Sequence, residues 1–70
     1  EFSFSMRTEL KAFAGSASFA QVRNDEERAL IQMIVKGKSM ESASLRLGLK
    51  KREIHQSLRK IFSLMITTND

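Results

Sequence analysis

The 70-residue chain contains no cysteine, no proline, one histidine and only three glycines. Without cysteine, neither a disulfide nor a thiolate-bound zinc ion can stabilise the domain, and His55 alone cannot form a zinc site. The absence of proline and the wide spacing of Gly15, Gly37 and Gly48 indicate helical segments separated by glycine stops. We therefore expect neither a metal nor a cofactor.

Long apolar runs are also missing from the chain. No stretch approaches the roughly 18 residues that a membrane span requires, and the N-terminus lacks the charged-then-apolar pattern of a signal peptide. The chain opens on Glu1 and not on methionine. We expect a fragment of a larger cytoplasmic protein, with a small core that gains stability from helix packing, from oligomerisation or from both.

The net charge of +4 is concentrated in one segment of the sequence. Residues 47–62 carry five cationic side chains against the single acid Glu53, whereas cations and acids balance over the rest of the chain. A local excess of this kind indicates a polyanionic partner. A solvated helix face would explain the charge equally well.

Apolar residues at helical spacing predict an all-α fold, a small helical bundle that contains a helix-turn-helix. The predicted helices cover about residues 6–14, 24–36, 39–47 and 51–65. Residues 1–5 alternate Phe and Ser, as a short strand or an extended arm would, and residues 16–22 are either a linker or a lead-in to the next helix. The predicted divisions are 1–22 (N-terminal arm with a short helix or linker), 23–66 (helix-turn-helix domain) and 67–70 (frayed tail).

Local signals set the predicted helix ends. Asn24 and Ser39 are expected N-caps, and Gly37 and Gly48 are expected stops, with Gly48 in a left-handed turn. Lys50 stands where a Ser or Thr cap would be expected before the last helix, which costs about 1 kcal/mol of capping.

The last predicted helix is amphipathic. Ile54, Leu58, Ile61 and Met65 recur at helical intervals and should face the core. A basic helix after a tight turn can enter the major groove and present its outer side chains to base edges. On this basis the expected base-reading residues are His55, Gln56 and Arg59, and the expected phosphate-binding residues are Lys38, Lys50, Lys51, Arg52 and Lys60.

The order of these signals resembles a known family. An acid-containing helix is followed by Gly37, a short helix started by Ser39, the triplet 47–49 (Leu-Gly-Leu), and a basic helix with an aliphatic stripe. Residues 23–65 thereby resemble the LuxR/GerE-type helix-turn-helix, the DNA-binding output domain of many bacterial transcription regulators. The resemblance implies the same readers, His55, Gln56 and Arg59, and a location at the bacterial nucleoid.

The chain departs from that family's pattern in several places. Arg23-Asn24 replaces the usual Leu-Thr, Ala43-Ser44 the usual Ile-Ala, and Glu53-Ile54 the usual Thr-Val. Glu53 would repel phosphates, and the sequence ends before the family's fourth helix. Either the fragment is truncated or the helix at 6–14 takes that place. The promoter-reading region of sigma factors shares much of the same spacing.

We therefore expect sequence-specific DNA binding by the output domain of a bacterial transcription regulator. The expected partners are double-stranded DNA, a second copy of the chain, and RNA polymerase or another regulator. The sequence offers no catalytic serine arrangement and no Gly-rich phosphate loop, so we do not expect an enzyme.

Two alternatives belong to other classes. One is a helix-turn-helix-shaped interaction module without DNA reading, an anti-activator or dimerisation adaptor. Glu53, the missing fourth helix and four aromatic residues that we expect to be exposed motivate it: Phe2, Phe4, Phe13 and Phe19. The other is membrane-surface binding by the basic last helix, which is disfavoured because the core needs its apolar face.

Overall fold

A computed structural model describes residues 2–67 of the chain. These residues form a small all-α globule without any strand in the described part, as the sequence predicts. The elements are α1 (Phe4–Ala14), a short 3-10 helix (Ala17–Gln21), α2 (Asp25–Val35), α3 (Met40–Leu47) and α4 (Lys51–Thr67).

Side chains cap the N-termini of α2 and α3. Asn24 Oδ1 accepts hydrogen bonds from the amides of Glu26 and Glu27, at 2.8 and 3.2 Å, so the predicted cap of α2 is confirmed. The hydroxyl of Ser39 accepts from the amide of Ser42 at 3.1 Å, which confirms the predicted cap of α3. Such caps satisfy amides that have no partner within the helix.

The extended arm predicted for residues 1–5 is wrong at its C-terminal part. Ser3 is extended, but its hydroxyl accepts from the Met6 amide at 3.1 Å, so that α1 already begins at Phe4. The Phe-Ser alternation imitates a strand, whereas Ser3 in fact provides a local helix start. The segment 16–22 contains the short 3-10 helix, which is separate from α2.

Two of the three glycines end helices in the left-handed conformation. Gly37 has φ +88° and Gly48 has φ +68°, as their predicted roles require. Gly15 ends α1 in the right-handed region, with φ −88°, so no left-handed turn forms there. At the other end of the chain α4 continues to Thr67, past the predicted end at residue 65. The lower helix propensity of β-branched residues is too small to end a helix by itself.

Helix α2 lies at the centre of the packing and contacts α1, α3 and α4. Its residues Leu30, Ile31 and Ile34 are all fully buried. The same buried cluster includes residues from both sides of the predicted boundary at residue 22: Phe2, Leu10, Phe13, Val22, Met40, Ala43, Ile54, Leu58 and Ile61.

The aromatic residues are mostly not exposed, contrary to expectation. Phe2 and Phe13 are only 6% and 7% exposed. Phe19 is half-buried and lies edge-on to Phe13, with 6.0 Å between ring centroids. The Arg28 guanidinium lies 5.0 Å from the centroid of the Phe19 ring, and such a cation–π contact is favourable. Phe4 alone of the four is largely exposed, at 84%.

Candidate nucleic-acid interface

The connection between α3 and α4 is a turn of three residues, 48–50. Gly48 adopts the left-handed conformation and donates its amide to the Ser44 carbonyl. A Cβ at Gly48 would meet nothing within 4 Å, so the backbone conformation and not a lack of space requires glycine. The Ser44 hydroxyl donates to the Leu49 carbonyl, and the Leu49 amide donates to the Ser44 carbonyl at 3.2 Å. Ser44 thus makes three hydrogen bonds with residues of the turn.

The first turn of α4 is capped from within the helix. The Glu53 carboxylate accepts the Lys50 amide at 2.8 Å, and the Ile54 amide donates to the Lys50 carbonyl at 3.0 Å. This is the reciprocal half of a capping box, in which the N3 acid caps the N-cap amide. Lys50 stands at the N-cap position as predicted, and Glu53 satisfies its amide, which is the other half of the capping box. Glu53 has a structural role that the sequence interpretation did not give it.

Helix α4 is fixed to the domain by one apolar face. Ile54, Leu58 and Ile61 are 0%, 4% and 1% exposed, and Met65 and Phe62 are partly buried against the same core. The predicted core stripe is confirmed. Because the stripe is buried along its length, the opposite side of the helix has to face away from the domain.

The outward side of α4 presents polar and cationic side chains. Gln56 and Arg59 are exposed as predicted, and Arg52 is exposed one turn before Gln56. With 3.6 residues per turn, these three side chains lie on the side opposite Ile54. Arg52 was predicted as a phosphate ligand, but its position is at the middle of the face, beside the predicted readers.

His55 is exposed at the edge of the outward side, towards α1. Together with Arg59 it lines an open depression of about 510 Å³, whose apolar lining includes Met6 of α1 and Phe62 of α4. His55 therefore lies between the outward side of α4 and the α1–α4 groove.

The other predicted cations are exposed but do not all lie together. Lys50 and Lys51 flank the start of α4, with Lys51 about 60° around the helix from Ile54. Lys60 lies on the opposite flank from His55. Lys38, in contrast, lies among residues of α2 and α3, beside Met33 and Arg46. The structure thus places Lys51 and Lys60 on opposite flanks of α4, about 180° apart around the helix, and Lys38 on another surface.

The arrangement is chemically suited to hydrogen bonding with a polyanion. Arginine and glutamine can each form paired hydrogen bonds with a base edge, and lysines bind phosphate as point charges. Among residues 2–67, no cluster of three His, Cys, Asp or Glu side chains could hold a metal ion. No helix in this range is long and apolar enough to cross a membrane.

Comparison with known proteins does not identify a family for the chain. No family model, no curated protein and no solved structure matches the chain. Any functional conclusion therefore depends on the residues and their geometry.

Proposed function

We propose that the chain is a sequence-specific DNA-binding domain of a bacterial transcription regulator, in which α4 enters the major groove. The observation that carries the proposal is the outward side of α4, where Arg52, Gln56 and Arg59 are exposed opposite a buried apolar stripe. A helix of this kind can present its first two turns to base edges while the rest of the domain stays outside the groove.

The charge of the segment that contains α4 supports the same proposal. The residues of 47–62 carry five cations and one acid, and the acid is engaged at the helix start by the Lys50 amide. Phosphate neutralisation provides most of the affinity of such domains, independently of sequence. In the proposed complex Lys50, Lys51 and Lys60 bind phosphates, whereas His55, Gln56 and Arg59 read bases. Arg52 contributes to either role.

The proposed domain binds as a dimer to paired half-sites, in the manner implied by its resemblance to LuxR/GerE-type regulators. Paired half-sites about ten base pairs apart, centre to centre, place two recognition helices on the same side of the duplex. This part of the proposal has its own readout, because the spacing appears directly in the selected sequences.

The experiment starts from selection on a pool of randomised duplexes, followed by fluorescence-anisotropy titrations at several salt concentrations. Wild type should bind with an affinity that falls steeply as salt rises. Arg59→Ala should lose about 1–3 kcal/mol on the selected sequence and tolerate more bases at one position. Lys11→Ala, an exposed cation of α1, is the matched control and should change little.

The proposal fails if wild type binds no duplex at low salt, or if its affinity is indifferent to salt. It also fails if Lys11→Ala and Arg59→Ala weaken binding equally, because binding would then depend only on net charge.

A protein-interaction module without DNA reading remains the second candidate. Phe4 and Ile66, 84% and 74% exposed, favour it, although single exposed apolar residues are common on protein surfaces. Of the four aromatic residues that motivated it, Phe2 and Phe13 are buried and Phe19 is half-buried. A stable oligomer at low micromolar concentration together with no DNA affinity would favour this candidate.

A further inference from the structure

A second surface of the domain lies between α2 and α3. It is formed by residues that the proposed DNA contact does not use, among them Lys38, which the sequence alone predicted as a phosphate ligand. Two open depressions of about 320 and 440 Å³ adjoin there. Both are lined by Met33, Lys38 and Arg46. We call them together the α2–α3 groove.

Three large apolar side chains line the α2–α3 groove. Leu45 is 85% exposed and lines one depression, and Leu47, half-buried, lines the other. Met33 is half-buried and shared by both. A methionine adapts its shape to different partners. A partner that covers the exposed Leu45 side chain gains binding free energy, because apolar surface is removed from water.

Three cationic side chains also line the α2–α3 groove. Lys36, Lys38 and Arg46 are all exposed there, and no carboxylate is among the described residues that line either depression. Cations near the ends of α2 and α3 are partly explained by the helix dipoles. The dipoles do not explain the exposed leucine between the cations.

We propose that the α2–α3 groove binds an acidic, amphipathic peptide segment of a partner protein. Leu45 and Met33 contact the apolar side chains of the peptide. Its carboxylates pair with Lys36, Lys38 and Arg46. The phosphates of a nucleic acid would pair with the cations, but its sugar–phosphate backbone has few apolar groups to cover Leu45. A second copy of the chain fits poorly, because its acidic stretch at 25–27 has no large exposed apolar side chain beside it. The proposal does not depend on DNA binding.

The test uses the isotope-labelled 70-residue chain and a synthetic helical peptide of about fifteen residues, with leucines at i and i+4 between glutamates. Saturable NMR shifts should appear at the methyl groups of Met33, Leu45 and Leu47. Leu45→Ser should weaken binding by about tenfold, as expected when one leucine contact is removed. Phe4→Ser, an equally exposed apolar residue on α1, is the matched control and should leave the affinity unchanged.

Control peptides separate the two halves of the proposal. Replacing the leucines by serine, or the glutamates by glutamine, should each weaken binding by about tenfold. Thermal unfolding of Leu45→Ser and Phe4→Ser should match wild type, because both side chains are exposed. The proposal is overturned if the peptide causes no saturable shifts, if the serine peptide binds as well, or if Phe4→Ser weakens binding as much. Shifts at Leu45 and Met33 on adding duplex DNA would overturn it too, since DNA would then be the occupant.

Discussion

Glu53 should have opposite effects on folding and on DNA binding, which two substitutions can separate. Its carboxylate accepts the Lys50 amide at 2.8 Å and so caps α4. Glu53→Ala removes the acceptor, which should lower the free energy of unfolding by about 1 kcal/mol. Glu53→Gln retains an oxygen acceptor but loses the charge that the helix dipole favours, which should lower it by about 0.5 kcal/mol.

The effect on DNA binding follows from the same charge. If the start of α4 approaches the duplex, a phosphate about 10 Å from the Glu53 carboxylate repels it by about 0.4 kcal/mol in water and about 1.7 kcal/mol at an effective dielectric constant of 20. Both variants should therefore bind a mixed-sequence duplex about twofold to twentyfold more tightly than wild type. The gain should shrink at high salt, because salt screens exposed charges.

Two assays measure these effects independently. For a domain of this size, 1 kcal/mol corresponds to a Tm shift of about 4–8 °C, which thermal unfolding followed by circular dichroism resolves. Fluorescence anisotropy gives the duplex affinity. Glu9→Gln, which removes an exposed acid from α1, controls for net charge. If Glu53→Gln destabilises as much as Glu53→Ala, the hydrogen bond is not the stabilising contact. If Glu9→Gln raises the affinity equally, the start of α4 has no special proximity to DNA.

Five further substitutions test the scaffold by chemical unfolding. Gly48→Ala should lose about 1–2 kcal/mol because of its left-handed φ of +68°, whereas Gly15→Ala, at φ −88°, should gain about 0.4–1 kcal/mol; equal effects would refute the conformational argument. Asn24→Ala should lose about 1 kcal/mol of capping, with Asn24→Asp as the control that keeps the acceptor and should stay near wild type. Ala43→Leu should lose about 1–3 kcal/mol, since Ala43 is fully buried; unchanged stability would mean that the core has room there.

Features that depend on a few neighbouring residues could be predicted from the sequence. The caps at Asn24 and Ser39 involve acceptors and amides at most three residues apart. The left-handed turn at Gly48 and the buried stripe through Ile54 and Leu58 are likewise encoded by residue type and period. These features also determine which side of α4 faces outward, so the outward side could be predicted too.

Features that depend on tertiary packing could not be predicted in this way. Phe19 contacts Phe13 across the turn after α1, and the Arg28 guanidinium of α2 lies over the Phe19 ring. No local sequence pattern therefore indicates that these aromatics are removed from the surface. The same holds for Lys38: its charge suggested a phosphate contact, but its neighbours come from α2 and α3. A sequence shows which residues are charged, but the residues that surround a charged side chain depend on how the helices pack.

The two proposed surfaces lead to a final prediction about simultaneous binding. No side chain that lines the α2–α3 groove belongs to α4, so duplex and peptide should bind together. The peptide's Kd, measured in the presence of saturating duplex, should change by less than about threefold, because sites without shared contacts have little coupling free energy. Lys38 is the one groove residue that the sequence predicted as a phosphate ligand, so any small competition should disappear in Lys38→Gln. If duplex instead displaces the peptide in both proteins, the groove is part of the DNA interface, and the assignment of its cations to a protein partner is wrong.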